Sequence, residues 1–118
     1  MALVRHEPLL DQDQMELLRA ALDPGELQAM LAQLPAAAAD AMTAIRAALA
    51  ADDLQQARKA AHVLKGFSSS FGAARLAAIA REIEQDLATT AEVTSHLPVL
   101  TEAIGATTAA LTRMVERE

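Results

Sequence analysis

Asp53-Leu-Gln-Gln-Ala-Arg-Lys-Ala-Ala-His62-Val-Leu-Lys-Gly-Phe-Ser-Ser-Ser-Phe71 carries the strongest helical signal in this chain. Laid out at about 100° per residue, it puts Leu54, Ala57, Ala60, Ala61, Leu64, Phe67 and Phe71 on one broad apolar arc, with Ser68 among them. Gln55, Arg58, Lys59, Lys65, Gly66 and Ser69 fall on the opposite arc, and His62 stands at its centre. The pair Asp52-Asp53 punctuates the chain before this helix, with Gln55 or Gln56 as a capping partner. Gly72 follows as a natural C-cap.

The same periodicity extends on both sides. Upstream, Asp23-Pro24-Gly25-Glu26 reads as an N-cap, a proline at the first helical position and a closing capping box. From there Leu27, Leu31, Leu34, Ala38, Ile45 and Leu49 keep a seam spaced by threes and fours, with a kink or break expected at Pro35. A shorter helix is expected around Leu9 to Leu22. Downstream, Leu76, Ile79, Ile83 and Leu87 mark a further helix, Thr89 to Ser95 a connection, and Leu97, Leu100, Ile104, Leu111 and Met114 a last seam. No alternating strand pattern occurs. Short connections make successive helices antiparallel neighbours, which predicts an all-α, up-down four-helix bundle with a short additional N-terminal helix. One domain is expected over residues 1–118, with its bundle core at about 24–117.

Composition narrows the function. The 118 residues are 53% hydrophobic but only 2% aromatic, with no Trp and no Tyr, so a base-stacking platform is excluded. A net charge of −6 is the wrong balance for binding nucleic acid through its phosphates. No cysteine is present, which excludes thiolate metal sites and disulfides and suits a reducing cytoplasm. The longest apolar stretch, around Leu34 to Ala51, is interrupted by Pro35, Asp40 and Arg46, so no membrane span is expected. The acidic balance and the absence of a long coiled-coil seam favour a monomer. Met15, Met30, Met42 and Met114 fall near apolar seams and read as core filler.

His62 is placed for chemistry rather than for a core. From Leu54 to Arg81 there are five basic residues and no acidic one, so the rest of the chain carries −11. Such a face either handles an anion or is simply a solvated basic surface. Neutral imidazole is a nucleophile that can carry a covalent group, and neighbouring cations such as Lys65 would stabilise an arriving phosphoryl charge. Gly66 costs roughly 1 kcal/mol relative to alanine inside a helix. It either clears space for a partner at His62, or permits close helix packing or early fraying. His6, in an expected frayed tail, and His96, placed near a loop or helix start close to Pro98, have no comparable surroundings.

The run Ala61-His62-Val63-Leu64-Lys65-Gly66, followed by Ser68-Ser69, Phe71-Gly72-Ala73, Leu76 and then Ile83-Glu84, resembles the histidine phosphotransfer (HPt) domain over most of the chain. The resemblance implies a phosphorelay intermediate. His62 would accept a phosphoryl group from the aspartyl phosphate of one receiver domain and pass it to another. Lys65 would screen the phosphoryl charge, Glu84 would orient the imidazole, and Arg58, Lys59, Val63, Gly66 and Ser69 would meet the partner. The resemblance implies no cofactor or metal of the chain's own, magnesium being supplied by the receiver, and no kinase activity. Its expected partners are response-regulator receivers and a (hybrid) sensor histidine kinase. Phe67 departs from the small residue common after the glycine and is expected to affect packing.

Three other readings compete with this one. A kinase dimerisation helix usually has an acidic residue after its histidine, where Val63 stands here. A metal–carboxylate bundle needs Glu-x-x-His pairs, but Lys59 and Val93 precede His62 and His96 by three. An HPt-like adaptor that binds a receiver or kinase without carrying phosphate would account for the fold and the basic face equally well.

Overall fold

The computed structural model describes residues 8–116, with side chains to Met114. Among them are six helices and no strand: α1 (Gln12–Ala21), α2 (Pro24–Leu31), α3 (Gln33–Ala50), α4 (Leu54–Ser70), α5 (Ala74–Gln85) and α6 (Thr90–Glu116). Helices α3 to α6 form the bundle: α3 and α5 each pack against both α4 and α6. Helix α1, the short N-terminal addition, and α2 close one end. The molecule measures 44 × 26 × 19 Å, longest along the bundle.

Local chemistry explains most of the boundaries. Asp23 and Glu26 form the reciprocal capping box ahead of α2, with Pro24 in the first turn. Asp53 caps α4 by accepting from the Gln56 amide at 3.1 Å. Gly72, at φ +69°, ends α4 in the left-handed region. A Cβ there would also come within 2.6 Å of the Met15 Cε, so the turn has a second reason to lack a side chain. That turn is where α1 is tied down: the Asp11 amide donates to Gly72 O, and Gln14 Nε2 donates to Ser69 O and Ser70 O in the last turn of α4.

Two expectations need correction. The break before α3 falls at Ala32, not at Pro35. Proline has no amide to give the carbonyl four residues back and its ring crowds that carbonyl, so the disturbance appears one turn upstream. Ala32 keeps φ −66° and ψ −16°, which makes this a bend in a nearly continuous path. The second concerns Thr89 to Ser95, which is not a connection: α6 begins at Thr90 and runs through Pro98. Thr89 Oγ1 accepts from the Glu92 amide, and Glu92 Oε1 accepts from Ala88 N, so a Thr-x-x-Glu capping arrangement starts the helix early. Pro98 is exposed, where water can meet the carbonyl its missing amide leaves open.

The core is aliphatic. Ile45, Leu64, Leu76, Ile83 and Leu100 are all buried to 1% exposure or less, each contributing roughly 1.5–3 kcal/mol. The expected methionines are there: Met15, Met42 and Met114 are buried, and Met30 packs against the cluster half-buried.

Candidate functional site

The hairpin of α4 and α5 builds the site. His62 lies ten residues before Gly72 and Glu84 twelve after it, so at 1.5 Å per residue the antiparallel pair brings them level. Burial of Ala57, Ala61, Leu64 and Ser68 turns the opposite face of α4 outward. The His62 side chain is accordingly 65% exposed, while that of Glu84 is 19% exposed.

Glu84 uses both of its oxygens. Oε2 lies 2.5 Å from His62 Nδ1, and Oε1 accepts from Lys65 Nζ at 2.6 Å. The hydrogen bond from Lys65 holds the Glu84 carboxyl below its ordinary value most strongly; partial desolvation opposes it, and the bond from His62 acts in the same sense as Lys65. An ionised carboxylate can only accept, so the proton between them belongs to Nδ1–H. The neutral ring then carries its lone pair on Nε2, on the side away from Glu84.

The remaining candidates separate. Gly66 is exposed, and a Cβ there would meet nothing within 4 Å; α4 runs on to Ser70. Neither close helix packing nor early fraying therefore explains this glycine. Val63 is 63% exposed. With Lys59 and Ala60 it borders a shallow groove whose other wall is Ala44, Ala47 and Ala48 of α3 and Ala51 just past its end. Those alanines, spaced by threes and fours, are the contribution the sequence reading missed. Ser69 is exposed, and its carbonyl accepts from Gln14. Two members of the polar arc are less free than the helical wheel suggested: Lys65 is half-buried on Glu84, and Arg58 is half-buried with Nη2 donating to Leu87 O at 2.8 Å. Phe67 is half-buried, its ring tilted against Phe71 with centroids 5.0 Å apart.

The reading of His96 requires correction. It lies within α6, nearly buried, with Nδ1 2.9 Å from Glu92 O and Nε2 2.5 Å from Glu82 Oε1 across the helix interface. Glu82 is itself buried, and His96 is a structural clasp between α5 and α6. His6 lies outside the described residues. Among the described residues no group of three His, Cys, Asp or Glu gathers as a metal site, and no helix is long and apolar enough to cross a membrane.

Comparison with known proteins bears on the family and the fold. The family model of the Hpt domain matches residues 29–117. Among solved structures, the crystal structure of histidine-containing phosphotransfer protein B (HptB) from Pseudomonas aeruginosa PAO1 is similar, with a TM-score of 0.77 at 22% identity. The match covers 94% of this chain and 97% of that one, and at this identity it speaks for the fold. No curated protein matches the chain.

Proposed function

This chain belongs to the Hpt domain family, whose members take part in phosphorelays as histidine phosphocarriers, and on that premise we propose that His62 is the residue on which its phosphoryl group travels. The observation that carries the proposal is the exposed imidazole whose Nδ1 is taken by Glu84 and whose Nε2 is open to an approaching partner. Nε2 attacks the phosphorus of a receiver's aspartyl phosphate. The N–P bond forms as the P–O bond breaks, and the aspartate leaves with the electron pair; the reverse step loads the next receiver. Glu84 holds the ring and its Nδ1 proton throughout, and the carboxylate offsets the positive charge the ring gains. Lys65, one turn along α4, exchanges its contact with Glu84 for the phosphoryl oxygens, acting as a point charge. The receiver supplies the magnesium ion.

Receivers dock around His62, over Val63 and Gly66 and along Lys59 and Ser69. A relay must let go, so the interface is small, under roughly 1,200 Å² in total. Its basic rim acts on encounter rate more than on final affinity. The protein works as a monomer in the cytoplasm, between a sensor histidine kinase and response regulators.

The test is labelling with phosphoramidate, read by intact mass and phosphorus NMR, followed by addition of a purified receiver domain. Wild type should gain one acid-labile phosphoryl group and lose it to the receiver, and His62→Gln should gain none. A folded wild type that cannot be labelled would instead make this an adaptor that binds without carrying phosphate.

A further inference from the structure

The end of α5 bears Glu84 and has neither a glycine nor a cation of its own to close it. No basic residue stands in its last turn. Its C-cap is Asp86, at φ −105° and ψ −24°, an acid where the helix dipole favours a cation, and Leu87 rather than glycine follows. The amides of Asp86 and Leu87 both turn back to a single acceptor, Glu82 O, at 2.8 and 3.2 Å. The carbonyls beyond it must find partners elsewhere.

The first carbonyl past the C-cap, that of Leu87, has its partner on α4. Arg58 Nη2 donates to Leu87 O at 2.8 Å, bringing a cation to the acidic end of α5 from a neighbouring helix. Arg58 precedes His62 by one turn on the same helix, and its side chain borders the same shallow groove as His62 and Glu84. Leu87 is itself buried in the core. Apolar packing anchors its side chain without orienting its carbonyl; the guanidinium supplies that orientation. Glu84 is the second-to-last residue of α5, within the stretch where helices fray. Loosening of that turn would carry the carboxylate away from an imidazole that otherwise projects into solvent.

We infer that Arg58 is a positioning residue for phosphoryl transfer: it caps the end of α5 from α4, keeps Glu84 on His62 Nδ1, and so keeps the reactive lone pair on Nε2. The catalytic consequence rests on the reading of His62 as the carrier; the link from Arg58 through Glu84 to the ring does not. Arg58, expected from the helical wheel to meet the partner, is thereby given a task inside the protein.

The experiment compares wild type, Arg58→Ala and Arg58→Lys in the unphosphorylated state. Long-range nitrogen NMR reports the His62 tautomer, and amide exchange reports residues 84–88. Arg58→Ala should shift His62 from mainly Nδ1–H towards a mixture and speed exchange at the end of α5 about tenfold. Transfer to a receiver should slow about threefold to tenfold, and Arg58→Lys, which keeps a charged donor, should recover most of each change. If Arg58→Ala fails to fold, Arg58→Gln serves for the same readouts. An unchanged tautomer with slowed transfer would overturn the inference and return Arg58 to the docking surface. An unchanged tautomer with unchanged transfer would leave it a structural residue only, and overturn the inference equally. Failure of wild type to take a label at His62 would defeat the carrier reading and the effect on transfer, while the tautomer measurement would still decide the positional link.

Discussion

Helix α5 presents two glutamates, two residues apart, to two histidines on opposite sides. Glu84 meets His62 of α4 and Glu82 meets His96 of α6, each with a nitrogen–oxygen separation of 2.5 Å. The residue types and the distance are the same, but the surroundings differ. His62 is 65% exposed and uses one ring nitrogen, leaving the other open; His96 is 11% exposed and has an acceptor at each nitrogen. With a backbone carbonyl at Nδ1, which can only accept, His96 keeps a proton there, and its second nitrogen lies against the Glu82 carboxylate. An imidazole with an oxygen against each nitrogen and so little exposure gives a partner no path to either. The comparison teaches that a His–Glu pair is a clasp or a primed nucleophile according to what the second nitrogen faces.

The sharpest break in this comparison comes from removing each histidine in turn. His62→Gln should abolish phosphoryl labelling while changing stability by less than about 0.5 kcal/mol, as for an exposed position. His96→Ala should cost about 3 kcal/mol, because it strands the buried Glu82, yet leave His62 open to labelling. Denaturant melts beside mass spectrometry test both, and a labelled His62→Gln would reverse the assignment.

The glutamates should divide in the same way by a smaller margin. Glu84→Ala should slow transfer about tenfold by releasing the tautomer, whereas Glu82→Ala should act on stability and leave the transfer rate of the folded fraction near that of wild type. Single-turnover transfer to a receiver separates the two. Lys65→Ala should slow transfer by roughly threefold to tenfold without preventing phosphate attachment, since it removes a point charge and not the nucleophile. An unchanged rate would remove Lys65 from the mechanism.

The smallest expected effect is in acid. Because the Glu84 carboxyl is lowered from 4.5, chiefly by Lys65, its contribution to stability is complete above the unfolded value and is lost as pH falls through the folded one. The stability difference between wild type and Glu84→Gln should therefore narrow as pH is lowered from about 5 to about 3. A gap that stays constant over that range would mean that the carboxylate's charge does not help hold the site together.

Much of this was legible in sequence, for a physical reason. His62, Lys65 and Gly66 occupy one helix face at spacings of three and four, so the exposure of His62 and Gly66 follows from the burial of Leu64 and Ala61 opposite. Glu84 could be placed through family resemblance, and the hairpin at Gly72 supplies the geometry. His96 was misplaced because Pro98 suggested a helix start, while the Thr89-x-x-Glu92 capping signal began α6 about two turns earlier. Arg58 read as a partner contact because a wheel shows which way a side chain leaves its own helix and not which carbonyl awaits it on the next. The alanines of α3 beside Val63 were missed likewise: their role depends on a neighbour they meet only in the bundle.

The amino-acid sequence by itself determined the helical class, the seams, the caps at Asp23, Asp53 and Gly72, and the outward face bearing His62, because each depends on residues within about two turns of one another. Only the tertiary structure decided which histidine is open and which is clasped, where the carboxylates of α5 go, and what Arg58 holds. Those outcomes depend on the rotation and height of one helix against another, set by the packing of the whole core rather than by any local run of residues.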